Sequence, residues 1–395
     1  MKRYRLLAAL GGLIMLTLLA ALVFLLRSAQ PAQEWTGAAC FQSGHPAGSR
    51  LFLVQRSGRQ FTLVVRDYSK TRTGKTLKRL ALPAAPVAMI SGLYGSPEAG
   101  PKAAMAVVLP DRITVFDPAG RQLKQIPGPG TGRVFMDAAA IETSPVVGYF
   151  PPFTLAVLTA ESGARYGRDI RLINVFAPPD SPEWRQDLAE FKPHHIFSGF
   201  FDAELRSQLG VVVYKKTRYH PVMADRPFLY SVGRSRLAPK WLGSRLSRPF
   251  RSLYPARLTA AGTGELLALE TDRTGRFLLQ AYCWDDFGFE GIAATPASPS
   301  LPTVFVLDWD GDGRDEVVTI RESAGSLRAL RRLSGSGQYI ETVYRLEPEH
   351  ERFREMDSRT LAGRPSEMLA QDLDQDARTD RIQIAGPELQ IKWGE

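Results

Sequence analysis

Three carboxylates at alternate positions, Asp308, Asp310 and Asp312, open a stretch that reads Leu307-Asp-Trp-Asp-Gly-Asp-Gly-Arg-Asp-Glu-Val-Val318. Oxygen ligands at this density suit a hard cation such as Ca2+, which takes roughly six to eight of them, and one tight turn can present all three side chains to one ion. Gly313 offers the backbone a position for positive φ, the carbonyl of Arg314 is placed to turn inward, and Glu316 stands where it closes the cage. The spacing recurs at Asp372, Asp374, Asp376 and Asp380, with Arg378 in the place of Arg314. One match is within the reach of chance, whereas a second copy argues for a repeated structural unit.

An EF-hand uses the same first three carboxylates, but it needs a glutamate at the twelfth loop position and a helix on either side. Thr319 and Gln383 stand there instead, and the first loop is flanked by Pro302-Thr-Val-Phe-Val-Leu307 and Val317-Val-Thr-Ile320. Short runs rich in β-branched residues are strands, so the loop joins two strands and the EF-hand is excluded. At these residues the chain resembles the FG-GAP or VCBS-type repeats of integrin-α-like β-propellers. There a blade's first strand enters an Asp-x-Asp-x-Asp-Gly-x-x-Asp/Glu calcium loop and returns as the second strand. The resemblance implies structural calcium that stabilises blades and pins their register, and adhesion-like use of the fold. It is closest at 308–318. At 372–384 Ala377 replaces the glycine, and a non-glycine residue in the left-handed region costs about 1–2 kcal/mol, so this second loop is expected to bind more weakly.

The elements that must position these loops are strands. From Leu51 onward short apolar or alternating runs, such as 51–54, 61–65, 104–109, 113–116, 153–158, 209–214 and 266–269, are punctuated by Gly, Pro, Asp and Ser without sustained helical periodicity. This is an all-β pattern. Faded copies of the strand, acidic turn, strand unit lie near 91–109, 137–158, 202–214 and 259–269, ahead of the two full loops. With the strands between 51 and 84 they imply a β-propeller over 50–395, seven-bladed with six as the alternative. The last copy stops one strand short, so an amino-terminal strand is expected to complete it and seal the ring.

Residues 1–5 form a basic tip, 6–26 are twenty-one residues without a charge, and 27–49 read as a tether. Twenty-one residues of helix span about 30 Å, the hydrocarbon thickness of a bilayer. The expectation is one uncleaved transmembrane signal-anchor, with the amino terminus in the cytoplasm and the propeller outside, because Lys2, Arg3 and Arg5 outnumber Arg27. A cleaved signal peptide is the alternative. Cys40 and Cys283 either form one bridge in that oxidising compartment or remain two unpaired thiols.

The formal net charge is +9, and much of it lies between residues 215 and 257, where Asp225 is the single acid. Lys215, Lys216, Arg218, Tyr219, His220, Lys240, Trp241, Arg245, Arg248 and Arg251 are the candidate ligand-binding residues there. Cations interleaved with aromatic rings suit an anionic cell-envelope polymer or an acidic protein partner. The alternative, which the pattern favours slightly, is that the rings are blade core and the cations are scattered over solvated strand faces. The compartment and the lack of a recognisable module argue against nucleic acid. No nucleophile elbow, histidine metal pair or phosphate loop stands out, and His194 and His195 are adjacent, so a strand turns them to opposite sides. The sequence therefore points to a binding or scaffolding module. The runner-up is a carbohydrate-active enzyme, glycoside hydrolase or lyase, using carboxylates such as Asp285 and Asp286 near Glu290, or Glu265 and Glu270.

Overall fold

The computed structural model describes residues 33–40, 49–69, 72–94, 102–142, 153–178, 184–323 and 338–394, except 203, 205, 219, 234–235, 244–245, 261–262 and 377. Within these the chain forms seven separate antiparallel sheets, each a meander of strands consecutive in sequence. Blades 1 to 7 occupy residues 33–82, 88–127, 133–187, 193–242, 250–294, 303–361 and 367–392. The first six have four strands and the seventh has three. The all-β propeller expected from the sequence is therefore present with seven blades, not six.

The second strand of each blade explains the architecture. Arg50–Ser57, Lys102–Leu109, Thr154–Glu161, Gln208–Lys215, Glu265–Thr271 and Glu316–Glu322 carry nearly continuous apolar runs. In each run successive side chains are buried on both sides of the sheet. A strand with one solvated face would alternate, so an unbroken run requires a sheet covered on both faces. Packing blade against blade around a ring supplies that cover. Outer strands such as Lys75–Leu82 return to alternation, with one face in water.

Each seam between successive blades holds its own apolar cluster. Between blades 2 and 3, Gly92 lets the Phe153 ring lie against the backbone; a Cβ there would stand 2.2 Å from the ring. Between blades 3 and 4, Asp137 accepts from the Ile196 N–H at 2.8 Å and meets His195 Nδ1 at 2.6 Å, while His194 meets Asp225 at 3.0 Å. The two adjacent histidines thus serve different partners, as a strand requires.

Ring closure departs from the expectation. The amino-terminal strand, Gln33–Cys40, lies inside the segment 27–49 read as a tether, and it pairs with the second strand of blade 1, not with blade 7. Closure is made instead by side chains: Leu51, Leu53, Val64 and Tyr68 of blade 1 pack with Leu373, Ile382 and Ile384 of blade 7. Trp35 N–H also donates to the Gly386 carbonyl at 3.0 Å. Cys40 and Cys283 are both free thiols, and Cys40 Sγ reaches Gln371 Oε1 at 3.6 Å, so the bridge does not form. The expected transmembrane segment 6–26 lies outside the described residues. Among those described, no helix is long and apolar enough to cross a membrane.

The closing seam makes a prediction. Leu53 is fully buried in it, and Leu53→Ala should lower the unfolding free energy by about 2–5 kcal/mol. Denaturant unfolding of the variant against the wild type reads this directly.

Candidate metal centres

In a four-stranded meander the first and third turns share one end of the blade. The loops 308–315 and 372–379, which join first to second strands in blades 6 and 7, therefore lie on one face of the ring. Their frame is set by the residue that begins the second strand. Glu316 accepts the Trp309 N–H at 2.8 Å, and Asp380 accepts the Leu373 N–H at 2.8 Å, each reaching back seven residues. Blades 4 and 5 do the same: Gln208 accepts from Phe201 and Glu265 from Leu258, again at 2.8 Å and seven residues apart. All four acceptors are buried. A buried N–H left unpaired would cost about 1–3 kcal/mol, so the capture fixes the loop's entry and exit together.

On this frame the carboxylates converge. Asp308, Asp310 and Glu316 bring ligand oxygens within 4.8 Å of one another, as do Asp372, Asp374 and Asp380. Gly311 and Gly313 take φ of 79° and 88°, which gives the first loop its tight course. A Cβ at Gly311 would also collide with Thr379 of the neighbouring loop. In the second loop Gln375 adopts φ 62° at the position of Gly311, while Ala377 lies outside the described residues. Asp312 and Asp376 are not members of the two groups. Each accepts the backbone N–H two residues on, from Arg314 at 2.9 Å and from Arg378 at 3.0 Å, as Asp310 does from Asp312 at 3.3 Å. Burial pushes the Glu316 and Asp380 carboxyls above the ordinary range, against the pull of Arg345 on Glu316 and of the Gly394 and Leu373 N–H groups on Asp380. Arg314 holds Asp312 below it.

The donor set fits a hard cation. All ligand atoms are oxygens, the groups are partly open to water, and Asp374 Oδ1 is buried without a hydrogen-bond partner among the described residues. Asp308, Asp310 and Glu316 in one loop, and Asp372, Asp374 and Asp380 in the other, would hold the ion. Protein cations also reach these carboxylates. Arg345 contacts Asp310 and Glu316 and lies 3.4 Å from Asp312. Arg72, from the third turn of blade 1, meets Asp374 at 3.0 Å and Asp376 at 3.7 Å. In blade 4 Lys240 bridges Asp202 and Glu204, which align with Asp310 and Asp312. Burial alone would raise the Glu204 carboxyl, but hydrogen bonds from Lys240 and Ser231 outweigh it and hold it low.

The basic region does not gather into one patch. Lys240 turns to the acidic loop of blade 4, with Trp241 packed against Trp284 and Phe289. Arg248 pairs with the buried Glu270 at 3.0 Å. Lys215 sits 3.7 Å over the Phe191 ring. Arg251 is exposed on the first strand of blade 5. Lys216, Arg218 and His220 lie together on the second turn of blade 4, at the opposite end of the blade from Lys240's partners. Tyr219 and Arg245 lie outside the described residues. Sequence reasoning missed Gln208 and took Glu265 only as a neighbour of Glu270; superposing the faded copies on the last residue of each loop would have revealed their shared role. Arg345 and Arg72 left no such signal, because they come from other strands and another blade.

Fold and loops together define a seven-bladed β-propeller with paired acidic loops on one face. No family model matches the chain, and no curated protein matches it. Among solved structures it is similar to BBS1N in complex with ARL6DN. In the lead-soaked crystal the TM-score is 0.56 at 12% identity, covering 93% of this chain and 98% of that one. In the mercury-soaked crystal it is 0.58 at 13% identity, covering 93% and 94%. At these identities the likeness establishes the fold.

The captured N–H predicts a pH effect. Burial holds the Glu265 carboxyl above its unfolded value, so its charged form costs stability as pH rises from the ordinary glutamate range through the raised value. Glu265→Gln, the residue type that blade 4 uses here, should keep the acceptor, abolish that loss and be at least as stable as wild type at neutral pH. Glu265→Ala should lose about 1–3 kcal/mol. Denaturant melts of both variants, followed upward in pH from the ordinary glutamate range at about 4.3, check the pair.

Proposed function

We propose that this protein is a membrane-anchored, extracytoplasmic propeller that binds or scaffolds an anionic cell-envelope polymer or an acidic protein, with structural calcium in the loops of blades 6 and 7. The observation that carries the reading is the pair of carboxylate groups on adjacent blades, each converging on one point from a loop of the same frame. Calcium reaches the millimolar affinity range of such loops outside the cytoplasm, where its concentration is high, so the loops and the anchor expected from 6–26 support the same compartment. A hard cation there would neutralise the carboxylates and lock the first turn of each blade.

Binding belongs to the other end of blade 4. Its second turn displays Lys216 and Arg218 with Val222, 70% exposed, and Met223, 38% exposed. Cations beside exposed apolar side chains suit an acidic protein surface better than a uniformly hydrated polymer. The solved propeller similar to this chain was crystallised in a protein complex, BBS1N with ARL6DN, which supports use of the architecture for protein partners.

A photo-crosslinker placed at Val222 of the full-length protein in intact cells tests this. The reading expects a discrete envelope adduct that Lys216→Glu with Arg218→Glu removes. The same adduct pattern from Phe287, exposed on the acidic-loop end of blade 5, would contradict it.

A further inference from the structure

Three blades repeat one arrangement that the calcium reading does not by itself require. At the third and fifth positions of the loop, the carboxylates of Asp202 and Glu204, of Asp310 and Asp312, and of Asp374 and Asp376 are each approached by a cationic side chain from outside the loop. The cation comes from the fourth strand of blade 4 (Lys240), the third strand of blade 6 (Arg345) and the third turn of blade 1 (Arg72). Three origins for one outcome point to a demand made by the loop, not to an accident of one strand's register. Blade 4 shows the limiting case. Phe200 stands where Asp308 and Asp372 supply the first carboxylate, Gln208 replaces the last, and the lysine ammonium is the loop's cation.

In blades 6 and 7 the full donor sets remain, so a protein cation and a divalent ion must contend for the same oxygens. The two contests differ. Arg345 engages Asp310 and Glu316, two of the three donors in its loop, and its side chain is 16% exposed. Arg72 engages one donor, Asp374, through Oδ2 alone, leaving Asp374 Oδ1 unpartnered. Its side chain is 55% exposed and already lies over the Trp393 ring, 5.2 Å from the centroid. A guanidinium at the protein surface can move into water at small cost. One packed between two carboxylates cannot, and a divalent ion placed beside it meets like-charge repulsion in a partly dry site.

We propose that Arg345 and Arg72 are internal competitors that set the calcium affinity of these loops, and that calcium enters blade 7 more readily than blade 6. The inference rests on the calcium reading and refines it. It also reverses the order that Ala377 suggested from sequence, because the arginine's grip, not the loop's glycine, decides which site is the weaker.

Calorimetric titration of the full-length protein with calcium chloride after chelation tests it. Two classes of site are expected, the tighter removed by Asp372→Asn and the weaker by Asp308→Asn. Arg345→Met should tighten the weaker class about ten-fold or more, the scale of a lost charge-assisted hydrogen bond. Arg72→Met should tighten the other class by less, and Arg345→Lys should fall between, because lysine cannot fork across two carboxylates. Circular dichroism confirms that each variant is folded. In chelator Arg345→Met should melt below wild type, with calcium reversing the deficit. Two classes insensitive to both arginines, or assigned to the loops in the opposite order, overturn the inference and leave the calcium reading standing. Absence of calcium binding in the wild type and both arginine variants overturns both.

Discussion

A buried acceptor at the head of the second strand, capturing the N–H seven residues earlier, is the interaction on which the acidic-loop face depends. It recurs in blades 4, 5, 6 and 7 with the same 2.8 Å bond and the same spacing, although the acceptor is Gln, Glu, Glu and Asp. In blade 6, where every residue between its ends is described, this bond closes one compact loop. The loops then hold one another. Ser207 N–H donates to the Glu142 carbonyl at 2.9 Å and Asp315 N–H to the Arg257 carbonyl at 2.7 Å, and Gly264 makes the same bond to Phe200. In each case the residue before a second strand bonds the residue after the preceding blade's first strand. Carboxylates mounted on such a belt are placed by the ring, not by the loop alone.

The ring itself is a hydrophobic requirement. Second strands buried on both faces cannot be left at an edge, so blade 7 must meet blade 1, and the seam does this with side chains and not with a shared sheet. Polar ties reinforce it: Arg72 crosses from blade 1 to Asp374, and Arg381 of blade 7 stacks 3.9 Å over Trp309 of blade 6. The acidic loops thus sit where three blades meet, and charge added or removed there is felt across two seams. Electrostatics and closure are coupled through the same few residues.

Much of this was legible in the sequence for a physical reason. Apolar runs covered on both faces, glycine at a left-handed turn and carboxylates at alternate positions are local signals, and they gave the strands, the blade count and both loops. The first strand escaped because Gln33-Glu-Trp-Thr-Gly-Ala-Ala-Cys40 has little β-branched character; its pairing with blade 1 is decided by its neighbour. For the basic stretch the sequence left a single face and scattered cations both open, because nearness in sequence is not nearness in space: Lys240, Arg248 and Lys215 each turn to a different partner. Arg345 and Arg72 were beyond reach, since Arg345 joins Asp310 across 35 residues and Arg72 joins Asp374 across 302.

On the proposed reading, the acidic loops are cation centres whose occupancy is balanced against the protein's own arginines. The most direct measurement is anomalous diffraction from crystals of the protein grown in calcium chloride. The account predicts calcium peaks bound by Asp372, Asp374 and Asp380, and at higher calcium by Asp308, Asp310 and Glu316, with oxygens at about 2.3–2.6 Å and the arginines displaced. No anomalous peak in either loop at saturating calcium, with Arg345 and Arg72 still on their carboxylates, would contradict it.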